Sequence, residues 1–439
     1  MSDKPMLINY NQLNSLWLKW VAQPEHFHFD RWLKQEAADW RRKHRETLPL
    51  ELGNAMQHAQ RFRQLACALE LIQAKGLDQD WAKWADEWKP QYSEDLGRNN
   101  FWFWIQKRSH SQWYIPKDWQ AGSRKTTVEE TEAWVRENPD SLLALLWYGL
   151  SPELKPAIDA RVERSNWNDR QAHNFVRMQQ TRPPLWLRPR LDQDAQKLLE
   201  ELKNEGVEAA INGTGLCATG GFGISQTTAF KEGRVEIQDH ASQMICAAVK
   251  VERGDKVWDA CAGAGGKALA LSDATQGKGV VVATDLHDYK LAELKKRAKR
   301  AGHANIRTFT WDGEAALRLP AEVARQQGFD KVLVDAPCSA TGTWRRNPDA
   351  RTRLNDKQIK ELNALQLKLL SNASKAVRNG GRLVYATCSW LVEENEDIVA
   401  TFLSQNTEFT LISEKMAGAP DTDADTMFVA VMEKAPAAQ

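Results

Sequence analysis

Two cysteines stand in short motifs at the ends of apolar runs: Cys338 in Val332-Leu333-Val334-Asp335-Ala336-Pro337-Cys338-Ser339, and Cys388 in Leu383-Val384-Tyr385-Ala386-Thr387-Cys388-Ser389. Each run is rich in β-prone residues and bounded by polar or turn residues, so it reads as a buried parallel strand. The thiol then sits at the strand's carboxyl end, where open α/β sheets hold their ligands. In isolation either thiol would read as an inert buried cysteine. Two of them at strand ends of one fold, facing a glycine-rich loop, suggest covalent group transfer.

That loop lies in Val257-Trp258-Asp259-Ala260-Cys261-Ala262-Gly263-Ala264-Gly265-Gly266-Lys267, after an apolar run and before a helical pattern. Gly263, Gly265 and Gly266 let the backbone turn sharply and approach a ligand closely, and Cys261, Ala262, Ala264 and Lys267 complete the cofactor-binding segment. Asp285 ends the next apolar run and is placed to accept both hydroxyls of a ribose. Asp312 ends the third and could accept from an adenine amino group. Helix capping or loop hydrogen bonding is the alternative for both acids. A nicotinamide cofactor would suit Asp285 equally well, but the glycines do not make GxGxxG and hydride transfer has no use for two thiols. S-adenosylmethionine fits better.

The elements that must position these groups follow from periodicity. From residue 236 onward, strands are expected at Lys256–Cys261, Val280–Asp285, Ile306–Asp312, Lys331–Pro337 and Arg382–Cys388. Helices are expected at Asp239–Lys250, from the glycine loop through Asp273, at Lys290–Ala301, up to Gln326, at Asp356–Val377 and at Glu394–Gln405. Alternation of this kind predicts a doubly wound, mainly parallel α/β sheet with right-handed crossovers. Two last runs, Phe409–Ile412 and Met427–Met432, predict an antiparallel hairpin at its edge.

The N-terminal half differs. Fifteen of the 19 tryptophans precede residue 190, and Leu13–Trp20, Trp32–Arg42 and Gln60–Lys75 carry apolar residues at helical spacing. Trp81, Trp84 and Trp88 share one helical face. Indoles packing helix against helix are the simpler expectation. The alternative is an RNA-stacking surface, because Trp102, Trp104, Trp113 and Trp119 lie among Lys107, Arg108, Lys117, Arg124 and Lys125. Between the halves, Thr181–Arg190 is proline-rich and extended, a short helix covers Asp194–Asn204, and Asn212–Gly215 and Thr219–Gly223 are turns and loops. The expected domains are 1–150 (helical, RNA-binding), 151–235 (linking) and 236–439 (catalytic).

At 439 residues the chain is too long for one ordinary domain, and its net charge of +1 neither demands nor excludes a polyanionic partner. No apolar stretch has the length of a membrane span, and the start lacks a signal-peptide pattern. The six cysteines form no CxxC pair, which argues against zinc and structural disulfides. A cytoplasmic protein with reduced thiols, no metal and no membrane partner is expected, as a monomer.

The chain resembles the RsmB/Sun-type (Fmu/NOL/NOP/Sun) RNA (cytosine-5)-methyltransferases from about Leu185 to Lys434. The likeness is carried by Gln238–Gln243, the glycine loop, Asp335–Thr343, Arg345-Arg346-Asn347-Pro348-Asp349, Tyr385–Ser389 and Glu393-Glu394-Asn395. It implies a class I S-adenosylmethionine-dependent methyltransferase fold, Rossmann-like, with an all-α N-terminal domain. It further implies that Cys388 is the nucleophile adding to carbon 6 of cytosine, that Cys338 assists release of the methylated base, and that Asp335 grips the cytosine edge. Addition of a thiolate makes carbon 5 nucleophilic enough to take a methyl group, splitting one hard step into two. Relatives carry Ala-Pro where this chain has Gly263-Ala264, and Val-Asn where it has Pro189-Arg190.

Small-subunit (16S) ribosomal RNA is the implied substrate and transfer RNA the next. A noncatalytic RNA-binding or ribosome-assembly factor is the rival. Arg345, Arg346 and Arg188 are candidate RNA contacts, with Arg351 and Arg353 nearby. The basic residues of 290–300 read more simply as a solvated helix face.

Overall fold

The computed structural model describes residues 7–24, 28–77, 96–109, 113–120, 124–213, 215–218 and 223–436. Trp81, Trp84 and Trp88, and the turn expected at 219–222, lie outside the described residues. The chain divides into two compact units: Met1–Val162, Trp167–Arg182 and Trp344–Leu354 form the first, and Glu163–Asn166, Pro183–Thr343 and Asn355–Gln439 the second. The main break in the chain falls at 182/183, and residues 344–354 group with the first unit.

In the first unit the regular elements are helical. Tyr10–Val21 buries Tyr10, Leu13, Leu16, Trp17 and Trp20, a single stripe at three- and four-residue spacing. Asn9 caps its start by accepting from the backbone N–H groups of Asn11 and Gln12. The helix Leu50–Lys75 supplies the long wall of the core, including Phe62, Leu65, Leu69 and Ile72. The helix Arg98–Ser109 is buried on every side from Phe101 to Gln106, the mark of a central helix.

Its tryptophans face inward. Trp102 and Trp104 are wholly buried, and their indole N–H groups donate to Asn14 Oδ1 (3.2 Å) and Glu70 Oε2 (2.7 Å). Trp113 and Trp119 are buried as well. Trp102 and Trp104 satisfy their one polar atom within the protein, and all four rings are buried with no face for a nucleobase, so packing accounts for them and the stacking surface does not.

The segment Trp344–Leu354 enters this unit as one helical turn, Pro348–Thr352. Asp349 Oδ2 accepts the Phe29 N–H (3.2 Å) and the Arg353 guanidinium (2.7 Å), while Arg345 donates to Thr181 O (3.1 Å). Charged side chains recruited to neutral backbone acceptors made this segment invisible to hydrophobic periodicity.

The second unit holds two sheets. The smaller has order β2-β3-β1-β4, all antiparallel, from β1 (Leu185–Pro189), β2 (Ala209–Asn212), β3 (Gly215–Ala218) and β4 (Val235–Ile237). Asn212 pairs with Gly215 across the expected turn, but the strands flanking it were not foreseen. Each is too short for alternation to register.

The larger sheet has seven strands in the order β10-β11-β9-β8-β5-β6-β7: β5 (Lys256–Asp259), β6 (Val280–Asp285), β7 (Ile306–Thr310), β8 (Phe329–Asp335), β9 (Val377–Thr387), β10 (Phe409–Gly418) and β11 (Thr426–Lys434). Strands β7, β6, β5, β8 and β9 run parallel, and β11 and β10 add the antiparallel edge hairpin. This is the expected Rossmann-like doubly wound sheet. Alternate residues divide its core: Trp258, Val282, Val332, Val334, Leu383 and Tyr385 pack on one face, and Val257, Val281, Leu333, Val384 and Ala386 on the other. The helix expected up to Gln326 shrinks to Ala321–Ala324. Gly313 takes φ +77° and Pro320 removes a donor, so no longer helix can form there.

Trp104→Ala should lower stability by about 3–5 kcal/mol, the usual range for emptying a large aromatic site in a core. Equilibrium urea unfolding measures this, and a midpoint equal to the parent's would remove the indole from the core.

Candidate active site

The strand order reverses between β5 and β8, so the loops leaving their carboxyl ends diverge and open a crevice. The glycine loop leaves β5 on one side of it. Gly265 has φ +90° and caps the helix Gly266–Ala274, and a Cβ there would stand 2.5 Å from Leu294 Cγ. A Cβ on Gly263 or Gly266 would meet nothing within 4 Å. The loop therefore presents bare backbone to open space beside a helix N-terminus, the form a nucleotide-like cofactor requires.

Asp285, at the end of β6, is buried; its two oxygens accept the backbone N–H groups of Gly263 (3.0 Å) and His287 (2.9 Å). The loop-bonding role considered for it is real, and each oxygen keeps a further lone pair for a ribose hydroxyl. Lys290 Nζ lies 3.6 Å away. Asp312 is exposed just past β7, where Oδ1 accepts the Glu314 N–H (2.9 Å).

Lys267 bridges the two sides of the crevice. Its Nζ lies 2.7 Å from Asp335 Oδ2 at the end of β8. Burial works most strongly against its charge, but Asp335, Cys246 and Asp259 together outweigh it and the net shift is upward. Asp259, at the end of β5, is fully buried, and neither of its oxygens has a hydrogen-bond partner among the described residues. Burial, reinforced by Asp335 and Asp285, pushes its carboxyl up to about 7 in spite of Lys267. The Cys261 thiol is pushed well up by burial and by Asp259, Asp335 and Asp285, so it stays protonated and takes no part as a nucleophile.

The two thiols come together. Strands β8 and β9 are parallel neighbours with Asp335 opposite Ala386, and Cys338 Sγ lies 3.4 Å from Cys388 Sγ. The hydrogen bond to Cys388, and then burial, hold Cys338 well above the ordinary thiol range. The two sulfurs share one hydrogen bond.

Beneath the thiols lies a polar frame that the motifs alone did not place in the site. Glu394, wholly buried, accepts the Ser339 N–H (2.8 Å), the Ser339 hydroxyl (2.5 Å) and Gln366 Nε2 (3.0 Å), and Gln366 also donates to Pro337 O (3.0 Å). Thr341 and Ser389 join their hydroxyls at 2.9 Å, and Asn395 bonds both the Thr387 hydroxyl (2.6 Å) and Ser389 O (2.9 Å). Gly342 is obligatory, since a Cβ would stand 1.7 Å from Thr426 O. The Glu393-Glu394-Asn395 run was a usable signal for Glu394. Gln366, in mid-helix, gave none, and Asp259 was visible only as the first residue of the loop motif.

The candidate RNA contacts are placed otherwise. Arg188 turns into the second unit, donating to Gln238 Oε1 (2.8 Å) and pairing with Asp273. Arg345 is buried and Arg346 half-buried in the first unit. On the basic helix Asp288–Arg300, Arg297 and Arg300 are tied to Glu236, and Arg297 also holds Ala264 O (2.9 Å). Among the described residues no group of three His, Cys, Asp or Glu is placed to hold a metal, and no helix is long and apolar enough to cross a membrane.

Residues 246–433 match the family described as 16S rRNA methyltransferase RsmB/F. Ribosomal RNA small subunit methyltransferase B of Yersinia enterocolitica is 36% identical over 241 residues, covering 53% of each chain. Probable ribosomal RNA small subunit methyltransferase B of Bacillus subtilis is 32% identical over 49% of this chain and 48% of its own. The chain spans about half the length of the curated relatives it matches. Among solved structures, PH0851 superposes with a TM-score of 0.69 at 23% identity over 98% of this chain and 100% of its own, a likeness of fold. A methyltransferase homologue from Pyrococcus horikoshii gives 0.55 at 25% identity over 67% and 98%.

Asp259→Asn should stabilise the protein in a pH-dependent way. Below the ordinary carboxylate value of 3.8 the acid is neutral folded and unfolded, and the variant gains nothing. Between there and about 7 only the unfolded chain ionises, so the parent loses stability as pH rises while the variant does not. The difference should grow to at most about 4 kcal/mol and level off above pH 7, at 1.36 kcal/mol per unit. Urea unfolding from pH 4 to 8 measures it, and a difference that is flat with pH would mean that Asp259 ionises normally.

Proposed function

We propose that this chain, whose residues 246–433 match the RsmB/F methyltransferase family, methylates carbon 5 of a cytosine in small-subunit ribosomal RNA with S-adenosylmethionine as donor. The observation that carries this reading is the pair of thiols 3.4 Å apart at the ends of adjacent parallel strands, beside the Lys267–Asp335 pair and the glycine loop. A lone thiol would serve many chemistries; a second thiol in contact with it suits attack followed by release.

S-adenosylmethionine supplies an electrophilic methyl group on a positively charged sulfur. The glycine loop and Asp285 would hold its nucleoside end, and the open space before Gly263 and Gly266 fits that role. The chain's own residues act on the base. Cys388, as thiolate, adds to carbon 6 and makes carbon 5 nucleophilic. The Cys338 sulfur, in hydrogen-bond contact, orients the Cys388 sulfur, and Asp335, fixed by Lys267, accepts from the cytosine edge. Once carbon 5 is methylated it gives its proton to solvent water, the sulfur–carbon bond breaks with Cys338 assisting, and its electron pair leaves on Cys388 as thiolate. The target base must leave its stack to reach a crevice of this kind.

Methyl transfer from labelled donor to small-subunit ribosomal RNA separates this enzyme from a noncatalytic RNA-binding factor of the same fold. Cys388→Ala should abolish transfer while leaving binding of S-adenosylhomocysteine nearly intact; wild-type turnover in a single-turnover assay would sink the assignment. Cys338→Ala should instead accumulate a covalent protein–RNA adduct, seen as a band shift on a denaturing gel. An adduct found only when Cys388 is missing would exchange the two roles. Asp285→Ala should weaken S-adenosylhomocysteine binding by about 1–3 kcal/mol, the worth of hydrogen bonds to a charged group. Calorimetry reads this directly, and an unchanged affinity would move the ribose contact elsewhere.

A further inference from the structure

A second cationic site lies wholly within the first unit. Helix Leu50–Lys75 turns Asn54, His58 and Arg61 to one face at the spacing i, i+4, i+7, with Gln57 beside them. With Arg108, from the last turn of helix Arg98–Ser109, and the stretch Gln180–Arg182, they line a cavity of about 250 Å³. It has the room for a tetrahedral anion with some water.

The chemistry of the lining is one-sided. Arg61 and Arg108 are 8% and 4% exposed. Arg61 donates to the carbonyls of Gln180 (3.1 Å) and Arg345 (2.7 Å). Arg108 donates to Trp147 O (3.0 and 2.7 Å) and Gln180 Oε1 (2.7 Å) and lies over the Phe62 and Trp147 rings. These partners are neutral. No carboxylate among the described residues hydrogen-bonds either guanidinium, and Glu132 acts on Arg108 only through space. Arg61 Nε and His58 Nδ1 have no hydrogen-bond partner among the described residues. The cations press on one another: burial, then Arg345, Arg182 and Arg108, pulls Arg61 down to about 10. Burial, then Arg61 and Arg108, pulls His58 down to about 4, so His58 is neutral and adds hydrogen-bonding capacity without charge.

Burying like charges without a counterion is costly, and a protein keeps such a cluster when an anion completes it. Guanidinium groups in a fixed fork are matched to the oxygens of a phosphate, which they bind in bidentate fashion. We propose that the cavity walled by Arg61, Arg108, Arg182 and His58 is a phosphate-binding site, and that the phosphate it takes belongs to the backbone of the RNA substrate. The cavity opens at Arg182, which is exposed, so a backbone phosphate can enter without its nucleoside following. The choice of RNA as source rests on the function proposed above; the anion site itself does not.

The test uses the full chain, with inorganic phosphate and a single-stranded RNA as probes. Gln57→Glu brings a carboxylate to the cavity wall on a helix that accepts glutamate readily, so the fold is retained. In chloride buffer this variant should unfold at a higher temperature than the parent, because it supplies the missing charge. Phosphate at fixed ionic strength should raise the parent's midpoint and leave that of Gln57→Glu unmoved. RNA binding by the variant should weaken about tenfold or more, the loss of charged hydrogen bonds, with a salt dependence shallower by about one ion. Arg182→Ala, at an exposed position, should reproduce the loss of RNA affinity in part. A phosphate-dependent rise that survives in Gln57→Glu overturns the site. A rise that is lost while RNA affinity stays at the parent's value overturns RNA as the source and leaves a site for free phosphate. If the parent transfers no methyl group to RNA, the proposed function fails separately, and the phosphate comparison still decides the cavity.

Discussion

The pairing of β8 with β9 fixes everything the site can do. Asp335 stands opposite Ala386, Ala336 N–H donates to Ala386 O (2.9 Å), and the two chains leave the sheet side by side, bringing Cys338 Sγ to 3.4 Å from Cys388 Sγ. Because side chains alternate across a strand, a slip of one residue would move Val332, Val334, Leu383 and Tyr385 from one core face to the other. The cores on both faces forbid that slip, so the hydrophobic pattern of the strands sets the sulfur–sulfur distance. The Glu394 frame then holds the loops beyond the strands, where no ladder reaches.

Lys267 offsets a cluster of carboxyls in the crevice, with Lys290 beside Asp285. Asp259, Asp335 and Asp285 all act on the same region, and Lys267 Nζ bonds Asp335 directly. Without that ammonium group the carboxyls would raise one another further. Asp259 shows the residual cost, since it is buried, lacks good hydrogen bonds and carries a raised value of about 7. Burial and the neighbouring Asp335 and Asp285 favour its neutral form at the end of the strand from which the glycine loop leaves.

The first unit follows a different logic. Its stability comes from indole and phenyl rings packed between helices, with indole N–H groups bonded to Asn14 and Glu70. Some arginines of this unit are internal: Arg61, Arg108 and Arg345 are buried and bonded to backbone oxygens. Basic residues in a helical domain thus divide into those that tie chain segments together and those that border a cavity.

Much of the second unit was legible in the sequence. Long apolar runs alternating with helical periods specify a doubly wound sheet, and motifs at strand ends specify where ligands go, so Cys338, Cys388, Asp335, Lys267 and Asp285 could be placed without coordinates. The edge hairpin was legible too, because its two strands lack any helical pattern between them. Tertiary structure alone decided what depends on residues far apart in the chain. It turned Arg188 inward to Asp273 and sent residues 344–354 into the first unit. It also put Gln366 under Pro337. Local sequence encodes period and backbone freedom, which act over a few residues. The burial of a charge and the partner it finds are set by whatever the fold brings alongside, and a single stretch of sequence carries no record of that.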